Sequence, residues 1–226
     1  MKIYSAWPFP SIQPKAANFD GPYGSNLREM PDAPLFLYLN EIEYAKTWIE
    51  GGQIPLMRAS SYRSAKRNGT STPDEVRQFR WDGASPETFE GIASIGQNVQ
   101  DIRFINCRSN GIPIPDTRID VYEEDAFLLC LSHTKSKALA ERFENKKCCV
   151  EIADISLLIS ALGAFENVRY GRVKYTKFDD RSHFMKSIKD AWQDEYRFVI
   201  PANKGLRKIN ISLPPGVAGK LITYSW

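Results

Sequence analysis

Residues 184–201, FMKSIKDAWQDEYRFVIP, place several chemically capable side chains at a regular spacing. From Gln193 onward the pattern alternates, with Tyr196, Phe198 and Ile200 on one side of a strand and Gln193, Glu195 and Arg197 on the other. An amide, a carboxylate and a guanidinium therefore stand in a row. Two readings follow. Glu195 and Arg197 neutralise each other at an exposed surface, or Glu195 is the acid of an active site and the rest of the chain builds a pocket in front of it. Two other strand ends carry polar candidates: Tyr38 with Asn40 after the apolar run 35–39, and Ser132 at the close of AFLLCLS, 126–132. Arg58, Arg63, Lys66 and Arg67 form a basic flank that suits either a phosphate or open solvent.

The elements that must position these groups can be read in outline. Residues 184–192 repeat apolar side chains at Phe184, Ile188, Ala191 and Trp192, the stripe of a helix leading into the Gln193 strand. Residues 35–39 suit a buried strand, Asn40 a helix N-cap, and Ile42, Ala45, Trp48 and Ile49 the inner face of a helix ended by Gly51-Gly52. A strand over 54–61 follows. The continuous apolar run 126–132 suits a central strand buried on both faces. A helix over 136–145, a strand over 148–152 and a helix capped by Asp154 and stopped by Gly163 come next. Residues 168–176 read as a strand with a close backbone approach at Gly171, and 207–213 and 220–226 as two more strands. This mixture without regular alternation predicts an α+β fold.

At 226 residues the chain fits a single domain, 1–226. Within it, the proline-rich segment 1–34 reads as an irregular arm. The weakly patterned stretch 65–122 reads as an inserted loop or lid, with short helices over 73–79 and 86–92 and a strand or helix over 99–105. The composition, 42% hydrophobic and 25% charged with net charge +3, is that of an ordinary globular protein and permits an anionic partner. Residues 1–11 lack the apolar core of a secretory signal, and no run is long enough to span a membrane, which predicts a cytoplasmic protein without membrane contact. The four cysteines show no C-x-x-C spacing, and two histidines without paired spacing argue against a histidine metal site or a histidine triad. No G-x-G-x-x-G, P-loop or G-x-S-x-G motif is present.

The order of these pieces resembles the ADP-ribosyltransferase fold, in particular bacterial toxin and phage-defence members. The pieces are an aromatic or basic residue on an early strand, a helix ending in Gly, a later strand ending in Ser, and Gln193-x-Glu195 on a strand near the C-terminus. WQDEYRF also resembles an uncharacterised bacterial family with a W-x-x-E-x-R signature. The resemblance covers residues 35–64 and 126–200. It implies a mixed, mainly antiparallel split sheet with flanking helices, NAD as substrate, and a toxin or phage-defence effector that modifies an RNA or DNA base, with an antitoxin as a possible partner. It assigns the catalytic roles to Glu195, which stabilises the cationic sugar and holds the ribose 2′-hydroxyl, and to Gln193, which orients the acceptor. NAD contacts fall to Tyr38, Asn40, Arg58, Tyr62, Arg63 and Ser132. Tyr62 would stack on nicotinamide, an arginine would take the pyrophosphate, and Ser132 would orient Glu195 or the ribose. Tyr38-Leu39-Asn40 stands where that family carries a histidine or arginine, and Leu131-Ser132-His133-Thr134 replaces its Ser-Thr-Ser triplet. A non-enzymatic RNA-binding or antitoxin-associated module is the alternative class, and a carboxylate-based metal nuclease the third.

Overall fold

A computed structural model gives the fold and describes residues 27–62, 76–89, 100–144, 146–177, 181–202 and 205–224. Its strands are β1 (Phe36–Leu39), β2 (Gly52–Met57), β3 (Arg77–Asp82), β4 (Asp101–Phe104), β5 (Arg108–Ser109), β6 (Ile112–Pro113), β7 (Thr117–Glu123), β8 (Ala126–Ser132), β9 (Cys148–Ile152), β10 (Arg169–Arg172), β11 (Lys174–Thr176), β12 (Met185–Ser187), β13 (Glu195–Pro201), β14 (Lys208–Leu213) and β15 (Ala218–Thr223). The helices are α1 (Ile42–Glu50), α2 (Lys137–Arg142) and α3 (Ile155–Leu162), with 3-10 turns at Ala59–Tyr62, Pro86–Phe89 and Ile188–Gln193. The fold is α+β, mostly antiparallel, with few helices.

The largest sheet has the order β10-β13-β8-β1-β9-β15, and every pairing in it is antiparallel. The apolar run of β8 explains its inner place, because both of its faces are covered. Phe127, Leu129 and Leu131 join Tyr196, Phe198 and Ile200 of β13 and Val150 and Ile152 of β9 in one cluster, closed by Ala45 and Trp48 of α1, Leu158 and Leu162 of α3, and the β2–β14 pair. On the opposite face Ala126 and Leu128 pack with Val199, Phe184, Ala59 and Val76. The alternation read from Tyr196, Phe198 and Ile200 therefore holds. Residues 27–29 run along the outer edge of β10, bonded to both the amide and the carbonyl of Tyr170. A Cβ on Gly171 would lie 2.9 Å from Leu27 Cδ2, which accounts for the glycine there.

Residues within 65–122 form a second sheet, order β3-β7-β4, around their own apolar cluster of Phe79, Phe89, Phe104, Ile114, Ile119 and Val121. Residues 77–79, read as the end of a helix, begin β3, and residues 101–104 are strand. The 86–92 helix is a 3-10 turn at Pro86–Phe89, and its remainder lies outside the described residues. Most of the 1–34 arm also lies outside them.

Three further expectations are corrected. Residues 184–192 do not form a helix: Met185–Ser187 is β12, parallel to β11, and Ile188–Gln193 is a 3-10 turn with Ile188 46% exposed. Glu41, not Asn40, occupies the N-cap of α1, and no side chain caps it. The 168–176 strand divides at Val173 into β10 and β11.

Asp154 does cap α3, its Oδ1 accepting from the amides of Ser156 and Leu157 at 2.8 and 3.1 Å. Asp154→Ala should lower stability by about 1 kcal/mol, and Leu158→Ala, emptying a fully buried site, by about 3 kcal/mol. Urea denaturation checks both values, and equal losses would contradict this placing of the core.

Candidate functional site

The polar face of β13 turns inward. Ser187 begins the 3-10 turn by accepting from the Lys189 amide at 3.3 Å. The turn ends at Asp194, which adopts the left-handed conformation (φ 44°, ψ 56°) that an Asp tolerates better than most residues. Asp194 is held there from several sides. Its Oδ1 accepts from Arg172 at 2.8 Å, its Oδ2 from the Thr134 hydroxyl at 2.9 Å, and its carbonyl from the His133 amide at 2.9 Å. Chain direction reverses at this point, so Gln193, before the strand, and Glu195, its first residue, both face Lys186 of β12.

Lys186 Nζ donates to Glu195 Oε2 at 3.2 Å and, by a short bond, to Gln193 Oε1. Arg197 donates to the same Glu195 oxygen through Nε at 3.1 Å and Nη2 at 2.9 Å, and its Nη1 donates to the His183 carbonyl at 2.9 Å. Lys186, Glu195, Arg197 and Gln193 are all at most 4% exposed. Moving each charge out of water costs several kcal/mol, a cost that the close pairing of Lys186 and Arg197 with Glu195 Oε2 offsets. The exposed-ion-pair reading of Glu195 and Arg197 is therefore corrected: the pair is interior. The bonds that Lys186 and Arg197 make to Glu195 reach Oε2, so the carboxylate is pinned through that oxygen. The Glu195 amide donates to Tyr175 Oη at 2.9 Å. Burial, then the neighbouring Glu195 charge, push the Tyr175 phenol well above its ordinary range, so its hydroxyl keeps its proton.

Ser132 stands directly opposite Glu195 in the β8–β13 register and opposite Phe36 in the β8–β1 register. Its Oγ donates to the Gln193 carbonyl at 2.9 Å and accepts from the Thr134 amide at 3.1 Å. Ser132 thus fixes the turn that carries Gln193 and Glu195. Tyr38 lies on the next strand. Its hydroxyl donates to the Thr134 carbonyl at 2.8 Å and accepts from the Ser136 amide at 2.9 Å, and its ring packs against Phe143 and Tyr224. Phe143 in turn meets Trp192, over which Arg142 lies at 4.0 Å. Tyr38 is therefore tied to the Ser132–Thr134 corner.

The remaining sequence candidates stand apart. Asn40 accepts from Lys146 at 2.7 Å on an exposed face. Arg58 lies over the Phe127 ring and pairs with Asp125 at 3.5 Å, near the opposite end of β8 from Ser132, about 17 Å away by strand rise. Arg63 and the side chain of Tyr62 lie outside what is described. Lys186, Tyr175 and Asp194 were not singled out in the sequence. Lys186 carried no signal, because inside an expected helix it reads as an ordinary solvent-facing lysine. The Cys148 thiol is pushed up to about 11 by burial and that of Cys149 is also raised, so neither is a ready nucleophile. No group of three or more His, Cys, Asp or Glu side chains is placed to hold a metal among the described residues. No helix among them is long and apolar enough to cross a membrane.

No match was found to a protein-family model, a curated protein or a solved structure.

Lys186→Met leaves Glu195 and Gln193 without their shared donor, and should cost about 3–5 kcal/mol, as breaking a buried pair does. Arg172→Ala, removing the exposed partner of Asp194, should cost below about 1 kcal/mol. Chemical denaturation of the two variants checks the order, and a Lys186→Met loss as small as that of Arg172→Ala would remove Lys186 from the anchoring role.

Proposed function

We propose that the chain is an ADP-ribosyl-transferring enzyme that uses NAD, with Glu195 as its acid, acting as a toxin or phage-defence effector on a nucleic-acid base. One observation carries this reading. The strands bearing Glu195, Ser132 and Tyr38 stand side by side as β13-β8-β1, with Glu195 and Ser132 facing each other in register. The resemblance asks Ser132 to stand near Glu195, and strands so far apart in sequence have many other ways to pair.

In this reaction the bond between ribose C1′ and the nicotinamide nitrogen breaks. Nicotinamide leaves as a neutral molecule with the bonding pair, the sugar becomes cationic, and a nucleophilic nitrogen or oxygen of the acceptor takes its place and loses a proton. Glu195 supplies the fixed negative charge that favours the cationic sugar over the ground state. Lys186 and Arg197 hold Oε2, which leaves Oε1 as the oxygen for the sugar and its 2′-hydroxyl. The same two cations weaken the carboxylate's field at a distance, so its effect depends on direct contact through Oε1. Gln193, with its carbonyl oxygen taken by Lys186, acts through its amide hydrogens or as a support. Ser132 and Tyr38 position the turn. Among the residues assigned to NAD, Arg58 and Asn40 serve only a ligand that extends well beyond Glu195.

The test is nicotinamide release and transfer of labelled ADP-ribose from NAD into cell extract, with wild type and Glu195→Gln. Wild type should release nicotinamide and label nucleic acid, and Glu195→Gln should be slower by about 100-fold or more while still unfolding cooperatively. Absence of release and transfer with the wild-type protein would sink the reading. Salt-sensitive RNA binding that survives the substitution would then favour the non-enzymatic module, and activity abolished by a chelator the metal nuclease.

A further inference from the structure

Residues 181–183 fasten the second sheet to the first. The Arg181 carbonyl accepts from the Phe79 amide of β3 at 3.0 Å, and the His183 amide donates to Gln78 Oε1 of β3 at 3.1 Å. On the other side the His183 carbonyl accepts from Arg197 of β13, and Phe184 packs against Ala126, Leu128 and Val199. One short segment therefore holds β3 and backs directly onto the Glu195–Arg197 cluster.

The His183 ring is an unusual occupant of this seam. The residue is 1% exposed, and neither ring nitrogen has a hydrogen-bond partner. Arg169 of β10 and Arg197 of β13 face it, and both oppose a further positive charge. From the β7–β8 connection the Glu124 backbone and the Asp125 carboxylate face it and favour one. The Glu124 backbone stays outside hydrogen-bond geometry. The balance is against protonation. Burial first, then Arg169 and Arg197, lower His183 from its ordinary 6.5 to about 3. Both nitrogens of so deeply buried a ring lack a partner, which is the kind of orphaned polar group that calls for an explanation.

We propose that His183 is an acid-operated latch: when its ring takes a proton, segment 181–183 lets go of β3, the two sheets separate locally, and the Lys186–Glu195–Arg197 cluster becomes open to solvent. The mechanism requires no other component. Burial and the charges of Arg169 and Arg197 tolerate a neutral imidazole and oppose an imidazolium, so the closed state excludes the proton that the opened state accepts. The sign follows from the lowered value. The latch is fully closed above about pH 6.5 and loses its grip progressively as pH falls toward 3, because only the opened state binds the proton in that window. From these values the open fraction should rise by about 25-fold between pH 7 and pH 5. His133, also lowered by burial and then by Arg172, titrates in the same direction, so a variant is needed to separate the two.

Native-state hydrogen exchange, corrected for intrinsic rates, tests this on wild type, His183→Phe and His183→Gln. The Phe79 and His183 amides of the wild type should open about 25-fold more at pH 5 than at pH 7, while Val150 and Ile152 of the first sheet change little. The Phe79 amide should lose most of this pH dependence in either variant, and His183→Gln serves if the phenylalanine does not fold. The proposal is overturned by a wild-type rise below about 3-fold, by an equal rise in the variants, or by an equal rise at Val150 and Ile152, which would mark global unfolding. The exchange measurement uses no substrate, so failure of the latch and failure of the NAD reading are distinguishable.

Discussion

A single carboxylate oxygen organises the polar half of this molecule. Glu195 Oε2 accepts from Lys186 and from two nitrogens of Arg197, and through those two cations it reaches Gln193 on one side and the His183 backbone on the other. Burying three charges in one place is unfavourable unless each is answered, and this requirement dictates much of the local chain. β12 must present Lys186 inward, the turn before β13 must bring Gln193 back to it, and Asp194 must accept a left-handed conformation to join the two. The anchoring of Asp194 by Arg172, Thr134 and His133 belongs to the same constraint. A site of this kind has a fixed carboxylate orientation, the quality that an electrostatic catalyst needs and that a structural ion cluster shares.

Local signals in the sequence were reliable where hydrophobicity and burial agree. The run 126–132 is an inner strand because nothing polar interrupts it before Ser132. Asp154 and Gly163 bound α3 and Gly51 ends α1, because caps and stops depend on neighbours within one turn. Tyr196, Phe198 and Ile200 declared their face by alternation.

The failures occur where polar side chains are interior. In residues 184–192 helical periodicity puts Lys186, Ser187 and Asp190 on the wet side, yet all three are buried while Ile188 is exposed. Periodicity assumes that charge means solvent, and the Glu195 cluster inverts that assumption. The same inversion hid Lys186 as a partner and made the Glu195–Arg197 pair look like a surface one. Asn40 misled for a different reason: Lys146, far along the chain, takes its side-chain oxygen and leaves Glu41 at the helix start. In residues 77–79 and 101–104 the strand state is decided by pairing with β7, a partner that no local window contains.

The strand order of the main sheet also bears on how the chain is made. β8 lies between β1 and β13, so its final neighbour is synthesised some distance later, after two helices and the β11–β12 pair. Pairings of such long separation are slow to form because loop closure precedes any gain from burial. As the chain leaves the ribosome, the apolar AFLLCLS strand therefore lacks the partner that pairs along its whole length until residues 195–201 emerge. During that interval it is a natural target for a holding chaperone, or for another nascent copy of itself.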